Sequence, residues 1–226
     1  MIFKKEKHPI EHLETIAIFL FLGMVIGARL GHVFFYEAEF YLNNPVEIFK
    51  IWKGGLASHG AAIGVLVAYW LWTYVQRINF SKYADILVIG MPLTAAFVRL
   101  GNFLNSEIVG RPTNGDWGVV FARLGESMPR HPSQLYESAL SFAIFAILLT
   151  VYFKYYKKLP RFYILFLYVF LYFTTRFFVE FWKKRHVLPM DFPLSMGQIL
   201  SVIPVLIALL YFGFVYFKKK PLKNPS

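Results

Sequence analysis

The chain has 226 residues, of which 57% are hydrophobic, 19% aromatic and only 16% charged, with a mean hydropathy of +0.50. A water-soluble domain is nearer a quarter charged and could not hide this much apolar surface, so the composition excludes the soluble classes and points to a bilayer-spanning protein. The formal charge of +11 would suit a nucleic-acid binder in a soluble chain; here the basic residues sit in short segments between apolar runs, as topology signals and anionic-lipid contacts do, so no nucleic-acid partner is expected.

A hydrocarbon core about 30 Å thick takes roughly 20 apolar residues of helix. Six stretches approach or exceed that length, at 14–36, 56–76, 85–105, 136–153, 161–181 and 196–217. They predict an all-α polytopic membrane protein with about six transmembrane helices, forming one transmembrane domain over 1–226. The first thirteen residues are basic and mixed, and the apolar run after them leads straight into polar motifs. No cleavable signal peptide is expected.

Ionisable side chains inside such runs are costly, and they normally face a cavity or a partner and mark function. The first run, GMVIGARLGHVFFYE, carries Arg29 and His32 between glycines; Arg29 either reaches a lipid phosphate or snorkels to the interface. The second opens with KGGLASHGAAIG, where His59 is either a base near neutral pH or hydrogen-bonded structure, and Gly54, Gly55, Gly60 and Gly64 point to close packing or to backbone approach to a ligand. In the third, MPLTAAFVRLGNFLNSEIVGRP sets Arg99, Asn102 and Ser106 on one helical face, with Glu107 next in the chain. Gly101 would let a helix or ligand approach. The Arg99 fork suits phosphate oxygens, against the plainer reading that it pairs with Asp85 or Glu107 to lock helices.

The long connection 106–135 is rich in turn formers, with a short β-like stretch at Trp117–Phe121, and reads as a small folded periplasmic cap. The fourth run begins PRHPSQLYESAL. Ser133 reads as an N-cap, with Tyr136 and Glu137 in the first turn. The fifth, LYFTTRFFVEFW, puts Tyr172, Arg176 and Glu180 along one stripe. Arg176 and Glu180 could form an intrahelical ion pair, and Tyr172 is either an interfacial aromatic or a phosphate-orienting hydroxyl.

Loop charges set the orientation. With both termini cytoplasmic, the inner segments hold Lys4, Lys5, Lys7, Arg77, Lys82, Lys154, Lys157, Lys158, Arg161, Lys218, Lys219, Lys220 and Lys223. The outer segments hold only Lys50, Lys53, Arg111, Arg123, Arg130, Lys183, Lys184 and Arg185. The positive-inside rule favours that arrangement, with 106–135 outside.

There are no cysteines, so disulfides, thiolate metal sites and a cysteine nucleophile are excluded; thiol chemistry must use a thiol that arrives on the substrate. No metal-ligand spacing, GxSxG elbow, HExxH helix or Walker loop occurs, and no cofactor or metal is expected.

Taken in order, GARLGHVFFY (27–36), GGLASHGAAIG (54–64), RLGNFLNSEIVGRP (99–112), RHPSQLYE (130–137) and RFFVEF (176–181) resemble the prolipoprotein diacylglyceryl transferase family over nearly the whole chain. The resemblance implies a bacterial inner-membrane enzyme that moves the diacylglyceryl group of phosphatidylglycerol to the lipobox cysteine at a prolipoprotein signal peptide. The products are a thioether and glycerol-1-phosphate, with the active site toward the periplasmic side. It puts the phosphatidylglycerol-binding arginine on Arg99, its companion on Arg176 and the important histidine on His59. Other signature polar positions fall on Asn102, Glu107, Gly110, Tyr172 and Glu180, and Asp85 matches a further one. The family usually has seven membrane helices; the resemblance begins at the loop before the second, so the first helix and its tyrosine have no counterpart here. Ala57 and Ala61 stand where relatives often carry Phe or Gly.

The expected catalytic residues are therefore His59, Arg99, Arg176, Glu107 and Tyr172. The expected substrate-binding residues are Arg99, Asn102, Gly110, Glu180, Arg29, Asn105, Tyr136 and Glu137, with phosphatidylglycerol, the prolipoprotein and membrane lipids as partners. An anion transporter, which often shows repeat symmetry, and a non-catalytic lipid-binding protein are the alternatives.

Overall fold

The computed structural model of the chain describes residues 2–113, 115, 117–183 and 194–219. Of the charges used for orientation, Lys184, Arg185, Lys220 and Lys223 lie outside the described residues, as do Asn114 and Asp116 of the expected cap. Two compact units divide the chain, Met1–Lys82 and Tyr83–Ser226, and each is described by itself.

The first unit runs α1 (Ile2–Lys5), α2 (Ile10–Phe35), α3 (Ala38–Asn43), two 3-10 turns at Pro45–Phe49 and Ile51–Lys53, and α4 (Ser58–Val75). Its core is a pair of antiparallel helices in backbone contact. Gly23, Gly27 and Gly31 recur every fourth residue on α2, as do Gly60, Gly64 and Ala68 on α4. A Cβ placed on Gly27 would lie 2.7 Å from the Gly64 Cα, and one on Gly31 would lie 2.8 Å from the Gly60 Cα. With no solvophobic force between helices in lipid, such small-residue stripes supply the close van der Waals contact that holds spans together. The indole of Trp72, fully buried, adds a hydrogen bond to the Thr15 hydroxyl at 3.0 Å. The larger side chains Leu22, Ile26, Phe34, Ile63 and Val67 flank the contact and line an apolar groove of about 580 Å³.

The second unit holds α5 (Ser81–Leu104, whose first two residues belong to the first unit), α6 (Ser133–Tyr155), α7 (Tyr163–Val179) and α8 (Met196–Lys219). The turn before α7 puts Phe162 in the left-handed region, at φ 66°. The exposed amides at the start of α7 are then met from another helix: Asp85 Oδ2 accepts from Phe162 N and Oδ1 from Leu165 N, each at 2.8 Å. The Ser138 hydroxyl donates to the Ala96 carbonyl at 3.0 Å and fastens α6 to α5. Phe166 stacks on Tyr211 with centroids 4.1 Å apart, joining α7 to α8.

Among the described residues, five helices are long and apolar enough to cross a membrane: Ile10–Phe35, Ser81–Leu104, Ser133–Lys158, Tyr163–Trp182 and Met196–Lys218. The second expected span, 56–76, comes out shorter. Gly54 and Gly55 adopt φ of 86° and 74°, so the helix starts only at Ser58; its 18 residues span about 27 Å at 1.5 Å per residue.

The connection before α6 differs from the expected cap in detail. The β-like stretch at Trp117–Phe121 forms no strand; the described residues hold isolated antiparallel bridges only, Gly110 to Lys183, Pro112 to Arg130 and Val119 to Arg130. Gly118, at φ 121°, breaks the extended run. Arg130 is its hub. It exchanges backbone hydrogen bonds with Val119 at 3.0 Å, donates Nη1 to the Gly110 carbonyl at 3.1 Å, and pairs with Glu126, whose hydrogen bonds push the guanidinium pKa up. Ser133 is the first helical residue and not the N-cap: Pro132 holds that position, and the Ser133 hydroxyl donates to the Ile108 carbonyl at 3.2 Å.

Candidate functional site

The last turns of α5 and the first turn of α6 build a charged cluster in the second unit. Arg99 donates from Nη1 to Asn102 Oδ1 at 3.2 Å, and Asn102 Nδ2 donates in turn to Glu107 Oε2 at 2.7 Å. The i, i+3 spacing on α5 makes the first contact, and the chain's turn after Leu104 brings Glu107 back to make the second. Arg99 does not pair with Asp85, whose two oxygens cap α7, and reaches Glu107 only through Asn102. Its carboxylate is Glu137, with Oε2 lying 3.0 Å from Nε. Gln134 sets that placement: Nε2 donates to the Glu107 carbonyl at 2.6 Å, docking the start of α6 on the end of α5 one turn before Glu137.

The other Glu137 oxygen accepts from Lys183 Nζ at 2.7 Å, and Lys183 also lies 4.0 Å from Glu180 Oε2. The Arg99, Glu137, Lys183 and Glu180 side chains are between 10 and 19% exposed, so their charges are only weakly screened. Among the described residues, Nη2 of Arg99 has no acceptor. That leaves one edge of the fork for a ligand anion.

Arg176 and Tyr172 lie on the same stripe of α7 as Glu180, but the expected Arg176–Glu180 ion pair is not made. Glu180 turns to Lys183 and packs over Gly197, where a Cβ would sit 2.5–2.7 Å from its carboxylate. Among the described residues Arg176 has neither an ion pair nor a side-chain hydrogen bond, although it is half-buried. Tyr172 packs its ring on Tyr168, with centroids 5.5 Å apart.

The remaining expected residues fall differently. The Tyr136 hydroxyl is 3.3 Å from His131 Nδ1 and its ring meets Trp182 edge-on at 6.2 Å. Gly110 is buried in the loop's bridges, where a Cβ would lie 2.7 Å from that of His131 and 2.8 Å from the Trp182 carbonyl. Asn105 is exposed past the end of α5, and Gly101 faces open space, so of the helix or ligand expected to approach it no helix does among the described residues. In the first unit, His59 is exposed in the first turn of α4. Arg29 does not snorkel: it is 4% exposed and its donors are turned to backbone carbonyls.

Residues 1–214 match the family model for prolipoprotein diacylglyceryl transferase. The chain belongs to this family. It is 46% identical over 203 residues, 89% of this chain and 78% of the relative, to a phosphatidylglycerol–prolipoprotein diacylglyceryl transferase of Tolumonas auensis. It is 40% identical over 237 residues to one of Bacteroides fragilis, covering 98% of this chain and 84% of the relative. A third, from Chloroherpeton thalassium, is 41% identical over 211 residues, 92% of this chain and 78% of its own.

For a member of the prolipoprotein diacylglyceryl transferase family, one participant in the cluster went unread in the sequence. Lys183 was counted as a loop charge, yet it lies three residues past Glu180 and seven past Arg176, in register with that stripe. Gln134, in the PRHPSQLYESAL segment, carries no local signal of its part in the cluster. Its role depends on where the end of α5 lies, which no local pattern encodes.

Proposed function

We propose that this membrane protein transfers the diacylglyceryl group of phosphatidylglycerol to the lipobox cysteine thiol of prolipoproteins, the first step of lipoprotein maturation. The observation that carries the reading is the match over residues 1–214 to a family whose curated relatives bear that activity in their names. The cluster around Arg99 supports it, because a weakly screened arginine with a free edge suits a lipid phosphate.

In this reaction the thiol, with a resting pKa of about 8.5, gives up its proton and the thiolate attacks the glyceryl carbon that bears the phosphate. A C–S bond forms, the C–O bond breaks, and glycerol-1-phosphate leaves with the bonding electrons. Arg99 and Arg176 hold the phosphate and stabilise its growing charge, an electrostatic contribution of about 3–4 kcal/mol per well-placed donor. Asn102 and Glu137 fix the Arg99 plane; Tyr172 and Glu180 line the stripe that carries Arg176. Gly110 shapes the loop, and Tyr136 and Asn105 complete the polar rim. His59 takes the thiol proton. A second reading gives that task to Glu107 through a water, because its carboxylate is already joined to Arg99 through Asn102. We place the enzyme in the bacterial inner membrane with both termini cytoplasmic and the site toward the periplasm, on the strength of the loop charges.

Mass spectrometry of a model prolipoprotein incubated with the purified chain and phosphatidylglycerol tests the reading. The expected result is a gain of one diacylglyceryl group on the lipobox cysteine, lost in Arg99→Ala. No gain with the wild-type chain overturns it. The pH profile separates the two bases: the acid limb disappears in His59→Gln and survives in Glu107→Gln, or the reverse.

A further inference from the structure

Arg29 is buried in α2, one turn before His32, and among the described residues it forms no ion pair with a carboxylate. Glu47, whose backbone carbonyl meets Arg29, gives its side chain to Lys50 and Lys53 at 2.5 and 2.8 Å. A guanidinium carries five N–H donors, and five carbonyls surround this one. Nε donates to Ile48 O at 2.8 Å, Nη1 to Gly54 O and Gly55 O at 2.6 and 3.1 Å, and Nη2 to Glu47 O and Lys50 O at 2.5 and 3.5 Å. The Tyr41 ring covers the group, with its centroid 4.9 Å from Cζ.

All five carbonyls belong to one segment, residues 44–57, which contains the two 3-10 turns and closes back on α2 through Ala57 N donating to Ala28 O at 2.9 Å. Gly55 is the tightest point. It has φ of 74°, and a Cβ there would lie 2.8 Å from Arg29 Nη1 and 2.7 Å from His32 Nε2. The next residues begin α4, with His59 in its first turn. The segment has no regular ladder to hold it, so a buried cation stands in as the common acceptor-binding centre for its carbonyls, much as a carbonyl ring replaces the water shell of an ion.

We infer that Arg29 is a positioning residue: its guanidinium clamps residues 44–57 onto α2 and thereby fixes where the His59 helix begins. It replaces the expected phosphate-ligand role, since the phosphate would have to strip off carbonyls to reach a donor. The effect on turnover rests on the reading that His59 takes part in the reaction; the clamp itself does not. Lysine cannot substitute, because an ammonium on a flexible stem offers three donors in place of a planar five.

The test uses the full chain in nanodiscs containing phosphatidylglycerol, as wild type, Arg29→Lys, Gly55→Ala and the double variant. Gly55→Ala keeps the arginine and wedges the clamp open. Amide hydrogen exchange over 44–57 is expected to speed up at least tenfold in both single variants, with α7 unchanged. Turnover is expected to fall at least tenfold with KM for phosphatidylglycerol within twofold of wild type, and the double variant is expected to be no worse than the weaker single one. A raised KM in Arg29→Lys with loop exchange unchanged overturns the clamp in favour of a phosphate ligand. Independent, multiplicative losses in the double variant also overturn it, and so does a loosened loop with wild-type turnover for its link to His59. If Arg29→Lys does not insert, Gly55→Ala decides alone, with wild-type exchange refuting the clamp. If the wild type transfers no lipid, the proposed activity fails while the exchange result still stands.

Discussion

Arg99 carries its charge beside Glu137 and within one side chain of Glu107, and the chemistry of each neighbour sets what a substitution does. Arg99→Ala removes the guanidinium edge proposed to meet the phosphate and is expected to lower turnover by about 10²–10³-fold while membrane integration stays at the wild-type level. Radiolabelled lipid transfer alongside quantitative blotting of the membrane fraction checks both halves. Glu137→Gln acts differently. It leaves Arg99 and Lys183 facing each other without the carboxylate that joins them, so a loss of stability on the order of 2–4 kcal/mol is expected, read as a lower thermal midpoint in detergent. Glu47 gives a pH signature instead. The hydrogen bonds from Lys50, then Lys53, hold its carboxyl below the ordinary carboxylate range. A group depressed in the folded state contributes above its unfolded pKa of about 4.3, and the contribution disappears as pH falls through the folded value. Exchange protection over 44–57 is therefore expected to hold at pH 6 and to weaken as the pH falls below the ordinary carboxylate range; a flat profile would remove Glu47 from the loop's support.

Helices of this chain are held by contacts that follow from living in lipid, where backbone groups cannot fall back on water. The α2–α4 pair depends on backbone contact, so Gly27→Val, which drives a branched side chain into the Gly60 and Gly64 backbone, is expected to cost about 1–3 kcal/mol, and Gly213→Val on α8, with open space around it, almost nothing. Paired thermal denaturation curves distinguish them; equal losses would mean the stripe is not the contact that matters. Asp85 does for α7 what an N-cap normally does from within the helix. Asp85→Ala should cost about 1–2 kcal/mol, with faster exchange confined to the first turn of α7 at Phe162–Leu165.

Orientation belongs to the whole molecule, and the lack of native cysteines makes it directly measurable. In intact cells, an impermeant maleimide is expected to label Gly125→Cys, in the connection before α6, and to leave Lys158→Cys, at the opposite end of that helix, unlabelled until the cells are broken. The reverse pattern would invert the proposed topology. The basic residues Lys154, Lys157, Lys158 and Arg161 concentrate at that end, which is the physical reason for the expectation.

Composition and periodicity alone determined that the chain is a helical membrane protein and where its apolar runs lie, because a bilayer imposes a length and a polarity that any segment must meet by itself. The ordered motifs likewise pointed to the family, whereas the glycines around His59 left close packing and ligand approach open, and the four-residue glycine stripes became a helix contact only in the fold. Only the tertiary structure decided which charges meet. Arg99 could have met Asp85, Glu107 or a ligand, and it found Glu137 because Gln134 docks α6 on the end of α5. Arg29 read as a phosphate ligand or a snorkelling side chain until the loop carbonyls closed around it. Both outcomes depend on where distant backbone runs after folding, and a local pattern of residue types does not carry that position.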